Sequence, residues 1–143
     1  MIEMDIKIED EYEPEIATFL QEQLYAFNVQ ATGIADGRMF HALVRDEAGQ
    51  VIAGINGHTW GGCGEIKEVW VAEAYRGQGL GRQLVQAAEL AAIQRGCQQM
   101  LLATHSFQAP GFYEKLGYGR LATVSNYPQG HQQIFYVKQL TAE

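Results

Sequence analysis

A strand that runs into three alternate glycines and then into a helix leaves a chain few folds to choose from. Residues 65–71, Glu-Ile-Lys-Glu-Val-Trp-Val, alternate as a strand. They lead into Arg76-Gly77-Gln78-Gly79-Leu80-Gly81-Arg82, and a helical pattern follows from about Leu80 to Arg95, with Leu84, Ala88 and Ala91 on one stripe. Glycine at these positions lets the backbone turn sharply and lets its N–H groups approach a ligand with no Cβ in the way. The helix start adds free N–H groups and the positive end of the helix dipole. No Ser, Thr, Asp or Asn stands between Arg76 and Gly81 to cap those groups. An uncapped helix start beside Arg76 and Arg82 suits a pyrophosphate; a glycine-rich turn with no ligand is the alternative. The spacing excludes a Walker loop, since no Gly-Lys-Ser/Thr follows, and G-x-G-x-G is not the dinucleotide pattern G-x-G-x-x-G.

The rest of the chain reads as short elements without repeats or linkers. Residues 4–9 alternate as a strand. Apolar residues Ile16, Phe19, Leu20, Leu24 and Phe27 follow Pro14 at helical spacing, and residues 30–37 read as a loop or short turn. Residues 39–44 and 51–55 flank a turn at 46–50 and form a hairpin. Gly61-Gly62-Cys63-Gly64 is a turn before the strand at 65–71, and Gly96 stands where a helix ends in the left-handed conformation. A buried strand at 99–104, a short helix at 109–116 stopped by Gly117, and strands at 118–124 and 132–140 complete the order. This β-α-β-β-β-α-β-α-β-β sequence predicts an α/β or α+β sandwich, not a doubly wound sheet. A length of 143 residues predicts a single domain over residues 1–143.

Composition narrows the function classes. The net charge of −7, with no run of Lys or Arg, speaks against general nucleic-acid binding. The acidity is concentrated in residues 1–15; residues 76–138 hold Arg76, Arg82, Arg95, Lys115, Arg120 and Lys138 against Glu89 and Glu114, so the later half suits an anionic ligand. Cys63 and Cys97 show neither a disulfide framework nor zinc spacing, and no His/Asp/Glu set suggests a metal. Free thiols, an N-terminus without signal-peptide character and no apolar stretch of ~20 residues predict a cytoplasmic chain without a membrane partner.

The hexapeptide Arg76–Gly81 resembles the R/Q-x-x-G-x-G/A signature of the GNAT superfamily of N-acetyltransferases, and Phe112-Tyr113-Glu114-Lys115-Leu116-Gly117-Tyr118 resembles that family's second motif. One helix and one strand separate the two, as in the family, and the resemblance covers the whole order of elements. It implies a mixed, mostly antiparallel central sheet of about six to seven strands with helices on both faces. It also implies acetyl transfer from acetyl-CoA to a primary amine of a small molecule or peptide, within a ternary complex and without a metal. A non-catalytic acyl-CoA-binding or sensing module is the alternative. The turn residues Arg76, Gly77, Gln78, Gly79, Leu80, Gly81 and Arg82 would hold the pyrophosphate. Val69, Trp70 and Val71 would carry a bulge and pair their backbone with the pantetheine arm, which enters a splay between this strand and the one at 99–104. The N–H near Val71 is the family's usual oxyanion donor.

Three chemical needs then pick candidates. The leaving thiolate benefits from a proton, and Tyr113 stands where many family members have their general acid. The amine must lose a proton to attack. Strict alternation puts Ile66, Glu68 and Trp70 on one face of the strand and Lys67, Val69 and Val71 on the other, which turns Glu68 toward the acceptor side as candidate base. His131, in the turn before the last strand, is the second candidate; His41, His58 and His105 have no companion at useful spacing. Seven residues before Tyr113, where many members have Asn, this chain has Ser106, a shorter hydrogen-bonding partner for CoA. Both cysteines read as ordinary thiols. Acceptor loops fall at about 25–37 and 125–131, and the final strand is an expected edge for pairing into a homodimer.

Overall fold

The computed structural model describes residues 2–141. The chain forms two compact units, Met1–Ile34 and Ala35–Glu143. In the first, α1 (Pro14–Thr32) begins at Pro14, whose missing N–H is harmless in a first turn. The helix runs on through residues 30–32, read from sequence as a loop, because nothing breaks it before Gly33. There φ is 74°, and the Gly33 N–H donates to Val29 O at 2.7 Å. The expected strand over residues 4–9 does not form. Met4, Ile6 and Ile8 alternate but are exposed, and an extended segment becomes a strand only by joining a ladder.

The second unit holds β1 (Arg38–Arg45), β2 (Val51–Trp60), β3 (Cys63–Val71), α2 (Leu80–Gln94), β4 (Gln99–His105), α3 (Pro110–Lys115), β5 (Gly119–Ser125) and β6 (Gln132–Gln139). One six-stranded sheet has the order β1-β2-β3-β4-β6-β5. All neighbours are antiparallel except β3 and β4, which run parallel with α2 as their crossover. The final strand is therefore interior, with β4 and β5 on its two sides; the edges are β1 and β5, which corrects the expected dimerisation edge. β2 extends to Trp60, well past the predicted end at Ile55. Asn56, Gly57 and His58 are weak strand formers, but pairing on both sides overrides propensity. Gly57 is obligatory there, since a Cβ would collide with Glu65 O and with the Phe40 ring. The second turn shrinks to Gly61 and Gly62, both at positive φ, and Cys63 and Gly64 already belong to β3.

The core lies between α2 and one face of the sheet. Leu84, Val85, Ala88 and Ala92 of α2 bury against Phe40, Ile55, Ile66, Met100 and Leu102. The Glu114 carboxylate ties α3 to the end of the sheet: it accepts from Tyr136 Oη at 2.7 Å and from Arg120 Nε at 2.8 Å. The hydrogen bond from Tyr136, then that from Arg120, holds the carboxyl below the usual carboxylate range. Nearby, Tyr118 Oη donates to Glu89, which also receives Lys138 Nζ. Burial and then the Glu89 carboxylate push the Tyr118 phenol up.

Candidate functional site

The site begins with an irregularity in β3. Its register against β2 runs from Glu65 opposite His58 and Ile66 opposite Gly57 to Glu68 opposite Asn56, so Lys67 is an extra residue and β3 carries a bulge. The Asn56 side chain repairs the ladder: its Oδ1 accepts the Glu68 N–H at 3.0 Å. The extra residue also shifts the side-chain phase. Ile66 is buried on the α2 side with Val69 and Val71, while Glu68 and Trp70 face the other way. Strict alternation thus placed Glu68 and Trp70 correctly relative to the valines but put Ile66 on the wrong face.

Beyond the bulge, β3 and β4 part. Their parallel pairing covers Cys63–Ile66 against Gln99–Leu102 and stops, although β3 runs to Val71 and β4 to His105. The Glu68 N–H points to β2, and so does that of Ala72, which donates to Ile52 O at 2.8 Å. Alternation then turns the Val69 and Val71 N–H groups away from β2, into the opening. The expected splay is present, with donors on its β3 side.

The glycine turn lies at the end of this opening, and its three glycines have different reasons. Gly77 and Gly79 adopt φ of 77° and 88°. A Cβ on Gly77 would meet nothing within 4 Å, and one on Gly79 only Gln83 Nε2 at 3.8 Å, so open space lies above both. Gly79 is the N-cap of α2, and no side chain caps the helix. Free N–H groups below open space make a cradle that fits a phosphate. Gly81 serves packing instead: a Cβ there would stand 3.3 Å from Phe112 Cζ and 3.8 Å from Val71 Cγ2. Arg76 is engaged with the strand, its Nε donating to Val71 O at 2.9 Å. Arg82, in the first turn of α2, has no side-chain hydrogen bond or ion pair among the described residues.

The Gly81–Phe112 contact brings α3 beside the helix start and the end of β3. Tyr113 therefore joins Val71 and the cradle although some forty residues separate them in sequence. Its ring lies 5.0 Å from Phe112, 6.0 Å from Tyr118 and 6.3 Å from Tyr136. Burial pushes its phenol above the usual tyrosine value, so it stays protonated and able to donate.

The other candidates lie apart. Glu68 is exposed and makes no ion pair among the described residues. His131 is in the β5–β6 turn, where its ring packs edge-on against Phe107 at 5.0 Å. No hydrogen bond joins it to Glu68 or Tyr113 among the described residues. Ser106 fastens β4 to β6: its N–H donates to Gln132 O at 2.8 Å and its Oγ accepts the Gln132 N–H at 3.0 Å. Sequence reasoning missed a ring cluster at this end. His105 stacks on Phe107 at 5.4 Å, meets the edge of Tyr127 at 5.2 Å, and bonds Tyr127 O through Nδ1. His105 and His131 stand 26 residues apart in sequence, and only the pairing of β4 with β6 unites them. The missed bulge had one signal, Asn56 in mid-strand, a residue that strands disfavour.

A parallel pair that splits, donors aimed into the split, an open helix start at its end and a protonated phenol beside it define the class of an acyltransferase. Residues 4–118 match the model of the Acetyltransferase (GNAT) family. The chain belongs to that family. It is 37% identical over 95 residues to the blasticidin-S acetyltransferase of Streptomyces morookaense, covering 66% of this chain and 70% of that protein. A crystal structure of an acetyltransferase from Bacillus cereus superposes with a TM-score of 0.77 at 30% identity, over 94% of this chain and 98% of that one. An aminoglycoside 6′-N-acetyltransferase complexed with coenzyme A shares the fold at 18% identity, with a TM-score of 0.62 over 73% of this chain and 74% of that one. Among the described residues no helix is long and apolar enough to cross a membrane.

Proposed function

We propose that this acetyltransferase moves an acetyl group from acetyl-CoA to a primary amine, directly and within a ternary complex. The observation that carries the reading is the uncapped, open start of α2 at the end of the β3–β4 split, with the Val69 and Val71 N–H groups turned into that split. Backbone N–H groups at 77–82, with Arg82, hold the pyrophosphate, and Val69 and Val71 align the pantetheine arm. The amine nitrogen attacks the thioester carbon, the C–N bond forms, and the developing oxyanion meets the Val71 N–H. As the C–S bond breaks, Tyr113 gives its phenolic proton to the thiolate and later regains one from solvent. Glu68, facing the acceptor side, takes the proton of the arriving ammonium, directly or through a water.

The test is free-thiol release from acetyl-CoA across a panel of amines, peptides and aminoglycosides. Binding of acetyl-CoA without turnover on any acceptor would favour a sensing module instead. With an acceptor in hand, Glu68→Gln is expected to lower kcat by about 10²-fold and to abolish the fall in rate on the acidic side. His131→Ala is expected to keep that limb. If Glu68→Gln raises only the acceptor KM, the carboxylate anchors the amine. If His131→Ala removes the limb, the base lies in the β5–β6 turn.

A further inference from the structure

On the sheet face that carries Glu68, three strands form two adjacent rungs. One is polar: His41 of β1, Asn56 of β2 and Glu68 of β3 stand side by side. The other is apolar: Leu43, Gly54 and Trp70. Gly54 makes the second rung a trough. A Cβ at that position would stand 2.8 Å from Leu43 Cδ2, so its absence lets Leu43 lie over the strand and leaves a floor between Leu43 and Trp70. The result is an open groove of about 290 Å³ with mostly apolar walls and one polar end. Leu43 is 52% exposed and Trp70 51%.

We propose that this groove is the acceptor site, and that it selects a primary ammonium carried on a compact apolar or aromatic body. The inference rests on the acetyl-transfer reading and adds the chemistry of the acceptor. Charge complementarity decides the polar end. Glu68 is a carboxylate without a cation, two residues along the same strand from an exposed indole. An ammonium between them gains both an ion pair and the face of a tryptophan. Position decides the rest: Glu68 and Trp70 flank Val69 on the stretch of β3 that has left β4, so an amine held there stands beside the split. The trough between Leu43 and Trp70 then receives the amine's hydrocarbon, which leaves water on both sides.

The same inventory excludes other amines. A polyhydroxylated acceptor would set hydroxyls against Leu43, Gly54 and Trp70, which offer only the indole N–H, and would lose hydrogen bonds to water. Asn56 Oδ1 is already engaged with the Glu68 N–H. A polycation would bring more positive charges than the one carboxylate of the groove can pair.

The experiment compares initial rates with 2-phenylethylamine, spermidine and kanamycin at saturating acetyl-CoA, after thermal shift has measured acetyl-CoA binding. The expected result is a kcat/KM for 2-phenylethylamine about tenfold or more above the other two. Trp70→Ala is then expected to raise the KM for 2-phenylethylamine roughly tenfold with a much smaller change in kcat. Gly54→Leu, which fills the trough, should have the same signature, so one misfolded variant does not leave the idea untested. Wild-type protein that binds acetyl-CoA and prefers spermidine or kanamycin overturns the acceptor class and leaves the transfer reading standing. No acetyl-CoA binding at all overturns both. A change of oligomeric state in Trp70→Ala, read by light scattering, with acceptor KM unmoved, assigns this face to a second copy of the chain and overturns the proposal.

Discussion

Gly79→Val abolishes the thermal stabilisation that acetyl-CoA gives the wild-type chain. At one hundred times its dissociation constant a ligand adds about 2.7 kcal/mol to the folded state, a rise of roughly 5–10 °C for a chain of this size. Valine at 79 removes that gain in two ways. Its side chain fills the space above the helix start, where now only Gln83 Nε2 comes within 4 Å of an added Cβ. It also resists φ of 88°, so the N–H groups that converge at the cap swing away. The strain costs about 1–3 kcal/mol, less than the ~5–15 kcal/mol that keeps a domain folded. The apo variant therefore melts somewhat early yet cooperatively, which separates loss of binding from loss of fold. An acetyl-CoA shift of wild-type size in Gly79→Val removes the phosphate from this cradle.

Tyr113→Phe lowers turnover by about 10²-fold while acetyl-CoA affinity changes by less than a factor of a few. The substitution keeps the ring that packs against Phe112, Tyr118 and Tyr136 and deletes one O–H. Burial raises the phenol, which fixes the sign of the pH dependence. An acid with a raised pKa is fully protonated at neutral pH and fails only when pH climbs past its elevated value. The wild-type rate should therefore show no alkaline decline assignable to Tyr113 below about pH 10, the ordinary tyrosine value. A drop at pH 8–9 that disappears in Tyr113→Phe would refute this account. Unchanged turnover in the variant would make Tyr113 a packing residue.

What the sequence revealed and what it hid differ by range. The turn at 76–82 was readable because each glycine acts locally: positive φ at 77 and 79, and the missing cap, are properties of a few neighbouring residues. The same holds for Gly96 and Gly117, which end their elements at φ of 84° and 96°. Pairing is not local, and the errors fall there. Residues 4–9 have the alternation of a strand and form none. β6 reads as a terminal edge and lies inside the sheet, because the chain enters between β4 and β5. Ile66 was assigned to the wrong face because one bulged residue, Lys67, resets the count. At the site, Tyr113 came from its motif. Its proximity to Val71 follows from Phe112 against Gly81, a contact that no spacing in the sequence announces.

The bulge at Lys67 also bears on how such a chain can change over generations. The half of β3 before it is framework, with Gly64 and Ile66 fitted under α2. Within the half after it, Glu68 and Trp70 look outward. Substitution at those two positions can vary the outward surface while the packed residues keep their neighbours. Loss or gain of a single codon there has a different outcome. Regular pairing would return, and one half of the strand would turn over, sending Ile66 to water or Glu68 and Trp70 under α2. Diversification of this strand is therefore restricted to replacements, and changes in length are confined to connections such as Asp46–Gln50, where the ladder does not count residues.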